Sequence, residues 1–425
     1  MSIGDYLKKT FASGANKNEN HDSLCVLPWI HFNILPDGKV IHCCESSDYG
    51  LIAGDLNTQT VEEIWNGKLM KSLRRDMLKG KKPKICSRCY ENECIGQNST
   101  RIAKNIFFKD KLEEIPLITK ADGYIEHIDL RFWDFRFSNL CNYKCRTCGP
   151  DFSNSWVSDA KELGLIDKEC PNKALKVLLI DGNPVDHFIK KHIDQVQTIY
   201  FAGGEPLISD EHWQILEMLD ERKRYDVIIY YNTNLSLLSY KNKNALEYWP
   251  KWGNHVWITP SIDEIDQRAE LIRSGTNWNT VEKNLQAIND LGIWITPSIT
   301  VSVMNVFRIP EIIDRLIDIG IIKQGPANWQ NFSLNIVTYA PMFHVSSLPD
   351  HERKNIRKKL DNYILNYKQK YNVDIEYIFS GLFWHLEKPW NKKNALAFKE
   401  FTNSIDKLRN ESTIAVIPEL GCVLN

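Results

Sequence analysis

No apolar run in the chain approaches the length needed to cross a bilayer, and the opening stretch MSIGDYLKKTFASGANKNENHDS has no long apolar core. Both absences argue against a helical membrane span or a secretory signal, and a soluble cytoplasmic protein without a membrane partner is expected. An excess of either charge is missing as well. The 53 Lys and Arg stand against 54 Asp and Glu, for a formal net charge of −1, so the whole chain has no attraction to nucleic acid or anionic lipid. Internal repeats and low-complexity segments are absent. Cysteines are nearly absent after residue 150, where only Cys170 and Cys422 occur. The dispersed thiols of a disulfide framework are therefore lacking, and these two read as ordinary buried or surface thiols.

The other nine of the 11 cysteines precede residue 150: Cys25, Cys43, Cys44, Cys86, Cys89, Cys94, Cys141, Cys145 and Cys148. Clustered thiols in a reducing compartment mean metal or redox chemistry far more often than crosslinks. Cys141, Cys145 and Cys148 form C-x3-C-x2-C. Three thiolates from one short loop can hold three irons of a cubane and leave the fourth iron open to an external ligand. Structural zinc would want four protein ligands, and this loop offers three.

Around the cysteines the chain reads as a polar lead (residues 1–24), a Cys-rich hairpin and helix module (25–120), an alternating strand–helix region (121–345) and a helical, charged C-terminal extension (346–425). In the module, Pro36-Asp37-Gly38 predicts a hairpin turn between two short apolar runs, with a helix over 60–80 to follow. Its basic run, Lys68 to Lys84, is expected to be a solvated helix face. The 13 tryptophans are expected in the core and in pocket walls. Strand-like runs follow at 127–133, 196–202, 227–233, 255–262, 294–302 and 333–339. Between them, Trp213, Leu216 and Leu219 mark one helical stripe, and Val281, Leu285 and Ile288 another that ends at Gly292. Six alternating units predict an α/β fold, a partial (β/α)6 TIM-like barrel with chemistry at the C-terminal ends of its strands.

The second strand ends in Ala202-Gly203-Gly204-Glu205-Pro206. The glycines would let the backbone approach a ligand, and Glu205 could accept hydrogen bonds from an ammonium group. With the triplet after the first strand and this motif after the second, residues 124–340 resemble the radical S-adenosylmethionine superfamily. The resemblance implies a site-open [4Fe–4S] cluster on Cys141, Cys145 and Cys148 that chelates S-adenosylmethionine and cleaves it reductively to a 5′-deoxyadenosyl radical. It implies that Gly203, Gly204, Glu205 and Pro206 contact the methionine amino group. By the same likeness Asn234, Ser261 and Asp263 face ribose or carboxylate, and Arg273 pairs with the carboxylate; each could instead be a helix cap or a surface ion pair. A flavodoxin or ferredoxin would donate electrons. Thr147 departs from the pattern, because an aromatic residue usually precedes the third cysteine.

In the module, Gly38, then Cys43 after four residues, and Cys86-Ser-Arg-Cys89 suggest with Cys25 a four-thiolate site, for zinc or a [4Fe–4S] cluster. The segments C…PDGKV…CC…CSRC resemble the SPASM/twitch auxiliary-cluster modules of radical enzymes, placed here before the barrel. That likeness implies one auxiliary [4Fe–4S] cluster on Cys25, Cys43, Cys86 and Cys89. Cys44 is the alternative to Cys43, and Cys94 stays unassigned. It also implies hydrogen abstraction from a peptide or from a small molecule such as a sugar. The competing readings are a non-catalytic zinc or iron–sulfur protein on a degenerate barrel, and a tRNA-modifying radical enzyme, which the neutral charge disfavours.

Overall fold

A computed structural model describes residues 22–46, 50–94, 99–170, 189–323 and 331–425. Nearly all of the polar lead lies outside the described residues. In chain order, strands β1 (His31–Ile34), β2 (Lys39–Ile41) and β3 (Gly54–Asp55) precede helices α1 (Lys68–Leu78), α2 (Ser87–Cys94) and α3 (Thr100–Phe107). Then come β4 (Phe132–Phe135), β5 (Lys144–Cys145), β6 (Thr198–Phe201), α4 (Asp210–Glu221), β7 (Ile228–Thr233) and β8 (Val256–Pro260). β9 (Arg273–Ser274), α5 (Trp278–Asp290), β10 (Ser298–Val301), β11 (Ser333–Ile336), α6 (Asp350–Tyr371), α7 (Glu376–Leu386) and α8 (Lys392–Arg409) complete the set used below. The expected α/β class with parallel strands is what forms.

Contacts divide the chain into two compact units, one of Met1–Leu140, Ala174–Tyr231 and Lys251–Trp257, the other of Cys141–Lys173, Asn232–Pro250 and Ile258–Asn425. In the first, the strand order is β7-β6-β4-β1-β2-β3. The turn predicted at Pro36-Asp37-Gly38 closes the antiparallel β1/β2 hairpin, with Leu35 N donating to Lys39 O at 2.8 Å. β1 then lies parallel to β4, pairing His31 with Phe132 through to Ile34 with Phe135, so the N-terminal hairpin extends the parallel sheet. All four residues of both strands are buried, as expected of parallel strands covered on both faces. The strand expected at 127–133 begins only at Phe132. Before it, Asp129 and Arg131 are tied to one another at 2.9 Å, and Asp129 also pairs with Lys111 at 2.7 Å.

The helix expected over 60–80 is two helices. Thr60 and Glu63 form a capping box for Val61–Trp65, and the chain breaks at Asn66-Gly67 before α1. The basic face of α1 is not wholly solvated. Arg74 is fully buried, donating from Nε to Pro28 O at 2.8 Å with its guanidinium 4.8 Å from the Trp65 ring centroid, and burial lowers its pKa to about 9. On α4, Trp213, Leu216 and Leu219 are buried as the stripe predicts.

In the second unit, Ser261 N donates to Thr233 O at 2.9 Å, Ser261 bridges Ser298 in parallel, and β10 lies parallel to β11 from Ser298–Ser333 to Val301–Ile336. The run expected at 294–302 is interrupted between Ile295 and Ser298, where Pro297 has no N–H to give a ladder. Val281, Leu285 and Ile288 of α5 are buried, and the C-terminal extension is helical, as predicted. Among the described residues no helix is long and apolar enough to cross a membrane.

Candidate metal centres

The Cys141–Cys148 loop is shaped by short-range hydrogen bonds from the segment just after it. Asn154 Oδ1 accepts from Cys141 N at 2.9 Å. The side chains of Ser155, Ser153 and Trp156 donate to the carbonyls of Cys141 (2.6 Å), Tyr143 (2.6 Å) and Cys145 (2.8 Å). These hydrogen bonds hold most of the turn through its carbonyls, while Tyr143 N also donates to Cys141 Sγ at 3.5 Å. Across the loop, β5 pairs antiparallel with β9, and Arg273 stands opposite Cys145.

Arg273 Nη1 donates to Asp263 Oδ2 at 3.0 Å, and Asp263, 2% exposed, also accepts from Thr300 N at 3.0 Å. Burial pushes the Cys145 thiol up to about 12, and Arg273 is the strongest charge opposing that rise. Cys148 is raised by burial too, and Arg273 again acts against it. Buried thiols held together and raised in this way are poor free thiolates, and they become good ones when a metal centre takes the charge. The donor set therefore fits a thiolate-ligated cluster, with one guanidinium beside it to offset negative charge.

The other sequence candidates fall as follows. Asn234 Nδ2 donates to Asn142 Oδ1 at 3.0 Å, which ties the end of β7 to the loop. Ser261 sits where β8 meets β10. Gly203 to Pro206 belong to the first unit, where they pack on Ser138–Leu140, the residues that lead covalently into Cys141. Glu205 N donates to Leu140 O at 2.7 Å. Gly203 has φ +117°, and a Cβ on Gly204 would lie 2.0 Å from Leu140 O, so both glycines are required by protein backbone. Glu205 is 3% exposed, and its carboxylate caps the following turn by accepting from Leu207 N at 3.2 Å.

Tyr339 was contained in the last strand-like run but not singled out by it. Its hydroxyl donates to Thr147 O at 2.8 Å while the residue is 69% exposed. Nothing local in the sequence marks this contact, because 192 residues separate the partners.

In the first unit, Cys25, Cys43, Cys86 and Cys89 line one cavity with His42, Glu45, Met77, Thr100 and Arg101. Burial raises Cys86 to about 12 and Cys89 to about 11. Arg101, in the cavity wall, opposes these rises and is paired with Glu93 at 2.5 Å. Each thiol group thus has one arginine beside it, itself held by one carboxylate. Cys44 is not in the cavity wall; its thiol interacts with Cys43 and with the buried carboxylate of Asp134. Cys94 is exposed at the end of α2. His42, next to Cys43 in sequence, brings Nε2 within 3.4 Å of Cys86 Sγ. Among the described residues no three Cys, His, Asp or Glu side chains converge on one ion-sized point.

Residues 135–316 match the Radical SAM superfamily, and residues 25–90 match SPASM, an iron–sulfur cluster-binding domain. Residues 135–316 are thus similar to radical S-adenosylmethionine domains, which implies a [4Fe–4S] cluster and S-adenosylmethionine there, and residues 25–90 to SPASM domains, which implies auxiliary iron–sulfur. No curated protein matches it. Similar solved structures include anSMEcpe with bound AdoMet, at 16% identity and TM-score 0.39 over 57% of this chain and 62% of that one. Another is SuiB of Streptococcus suis bound to its precursor peptide SuiA, at 12% identity and TM-score 0.38 over 80% of this chain and 70% of that one. The chain thus spans less than two thirds of the anSMEcpe chain.

Proposed function

We propose that Cys141, Cys145 and Cys148 ligate the site-open cluster, that Cys25, Cys43, Cys86 and Cys89 ligate one auxiliary cluster, and that the enzyme abstracts hydrogen from a peptide side chain and oxidises it. When bound, the site-open cluster supplies the electron that breaks the bond from sulfur to C5′ of S-adenosylmethionine. The protein's part is to hold the loop and balance its charge. Arg273, clamped by Asp263, offsets the thiolates, while Asn234 and Ser153–Trp156 hold the loop backbone. Gly203 to Pro206 brace the residues entering the loop from the other side of Cys141.

The observation that carries the oxidative reading is the second cavity, where four thiols from three separate segments meet. Four thiolates complete a cluster without leaving an open iron, which suits it to take up an electron from a substrate radical. A peptide is preferred to a sugar because peptide substrates are common among the SPASM/twitch enzymes that the module resembles.

The test is anaerobic purification with iron and sulfide analysis, then reductant and S-adenosylmethionine with 5′-deoxyadenosine followed by mass spectrometry. Eight irons and eight sulfides per chain and reductive cleavage are expected, as each [4Fe–4S] cluster brings four of each. Candidate peptides encoded beside the gene, deuterated at single residues, should pass deuterium into 5′-deoxyadenosine. Zinc in place of iron, or an intact cluster that never cleaves the cofactor, would defeat the proposal. Deuterium transfer from a sugar alone would replace the substrate class.

A further inference from the structure

We propose that the end of α8 and the turn after it clamp the Cys141–Cys148 loop through Arg146, making the C-terminal extension a positioning device for the cluster; this rests on the assignment of that loop's thiols as ligands. Arg146 lies between Cys145 and Cys148, and its side chain is 1% exposed. Its backbone N donates to Ile272 O at 2.8 Å and its Nε to Leu271 O at 3.3 Å. The guanidinium reaches across 260 residues of sequence to Asp406 Oδ1 at 2.6 Å, and also to Glu411 Oε2 at 2.5 Å and Thr413 Oγ1 at 2.9 Å.

The acceptors are themselves held. Thr413 donates to Asp406 from its backbone N (2.6 Å) and from its hydroxyl (2.8 Å). Asn410, with φ +53°, ends α8 in a left-handed residue, and Glu411 N then donates back to Asp406 O at 2.9 Å.

A second hold lies beside the first. Arg409 donates to Asp159 Oδ2 at 2.8 Å and to Ser274 Oγ at 2.8 Å, with its guanidinium 4.7 Å from the Trp156 ring centroid. That indole in turn donates to the Cys145 carbonyl at 2.8 Å. One end of α8 therefore reaches the loop directly through Arg146 and indirectly through Trp156 and β9.

Packing alone would be served as well by apolar side chains, because burying an ion pair is costly. Directional, charge-assisted hydrogen bonds from a planar guanidinium instead set an orientation. The arrangement places one positive and two negative charges behind the loop, so cluster properties should respond to them with opposite sign.

The test uses the full chain, reconstituted anaerobically, as wild type, Arg146→Lys, Arg146→Gln and Asp406→Asn/Glu411→Gln. The electron paramagnetic resonance signal that changes on adding S-adenosylmethionine identifies the loop's cluster. Its loss to a ferrous chelator and its midpoint potential are then measured. Arg146→Gln should speed the loss at least tenfold, with Arg146→Lys in between. The midpoint should fall in Arg146→Gln and rise in the double variant. A wild-type rate of loss in Arg146→Gln, or midpoints that move in the same direction in both, overturns the clamp. If Arg146→Gln does not fold, the double variant decides alone, by a raised midpoint or an unchanged one. Failure of the underlying ligand assignment shows differently, as a wild-type signal that S-adenosylmethionine leaves unchanged or that survives Cys141→Ala/Cys145→Ala.

Discussion

Replacing Gly204 by alanine adds a single methyl group, and the structure says where it goes. The new Cβ would stand 2.0 Å from Leu140 O, 2.5 Å from Leu140 C and 2.8 Å from Asn139 C, whereas ordinary contact begins near 3.4 Å. All three neighbours are backbone, so no side chain can swing away, and the two segments must part by more than an ångström. That separation strains the 2.7 Å hydrogen bond from Glu205 N to Leu140 O. Overpacking of this kind costs about 1–3 kcal/mol, and loss of a typical hydrogen bond adds about 1 kcal/mol. A destabilisation of roughly 2–4 kcal/mol follows from the two together. Since Leu140 is bonded to Cys141, the shift is passed to the first thiol of the loop. The assay pairs urea unfolding, for the change in midpoint at constant slope, with anaerobic 5′-deoxyadenosine formation. Both should fall. An alanine variant as stable and as active as wild type would refute the reasoning that backbone contact, rather than ligand approach, requires this glycine. Full stability with lost cleavage would return the residue to the ligand.

Arg273→Met leaves Asp263 buried beside Cys145 without its 3.0 Å partner, and breaking a buried pair costs about 3–5 kcal/mol; chemical denaturation together with loop-cluster content should show both stability and iron falling. Cys43→Ser should remove the auxiliary cluster and Cys44→Ser should keep it, giving about four and about eight irons per chain, since only Cys43 lines the cavity; iron analysis of the two variants reverses the assignment if the counts are exchanged. Glu264 is buried beside Arg308 at 3.6 Å, and burial raises its carboxyl from 4.5 to about 7. A carboxyl raised on folding favours the folded state below its unfolded pKa, and that stability is lost as pH climbs from 4.5 towards 7, by about 3 kcal/mol. Glu264→Gln should flatten this part of the stability–pH curve and unfold later than wild type at pH 8; an unchanged curve would mean the carboxyl titrates normally.

What the sequence made legible was local. The C-x3-C-x2-C spacing, the Pro-Asp-Gly hairpin and the stripes on α4 and α5 involve partners within a dozen residues, and periodicity or turn chemistry reports on those directly. Grouping Cys25 and Cys43 with Cys86 and Cys89 reached further, and there the spacing left zinc and iron–sulfur open until the family resemblance chose between them. Beyond that range, pairing depends on chain paths that one sequence does not display. The pairs Arg146 with Asp406 and Tyr339 with Thr147 are of this kind. Asp263 and Arg273 could be read as a pair aimed at a ligand, because the sequence cannot show that each already has the other. Glu205 is similar: an acid after two glycines suggests an amine, yet its carboxylate also serves as the cap of its own turn. His42 adjoins Cys43, but cysteine spacing carries no sign that its imidazole faces Cys86.

The parallel pairing of β1 with β4 has a consequence for how the chain is made. β1 meets its partner 101 residues later, so on a ribosome its open edge must wait for Phe132–Phe135 to emerge. Until then four apolar-flanked residues expose unpaired N–H and C=O groups, a template for pairing with a second nascent chain. Closing so long a loop is entropically slow. The iron–sulfur module, although it comes first, cannot be completed first. A fragment ending after residue 90 should therefore be prone to aggregate rather than fold, and metal loading of the module is expected only once the strand that leads into the second set of thiols has been made.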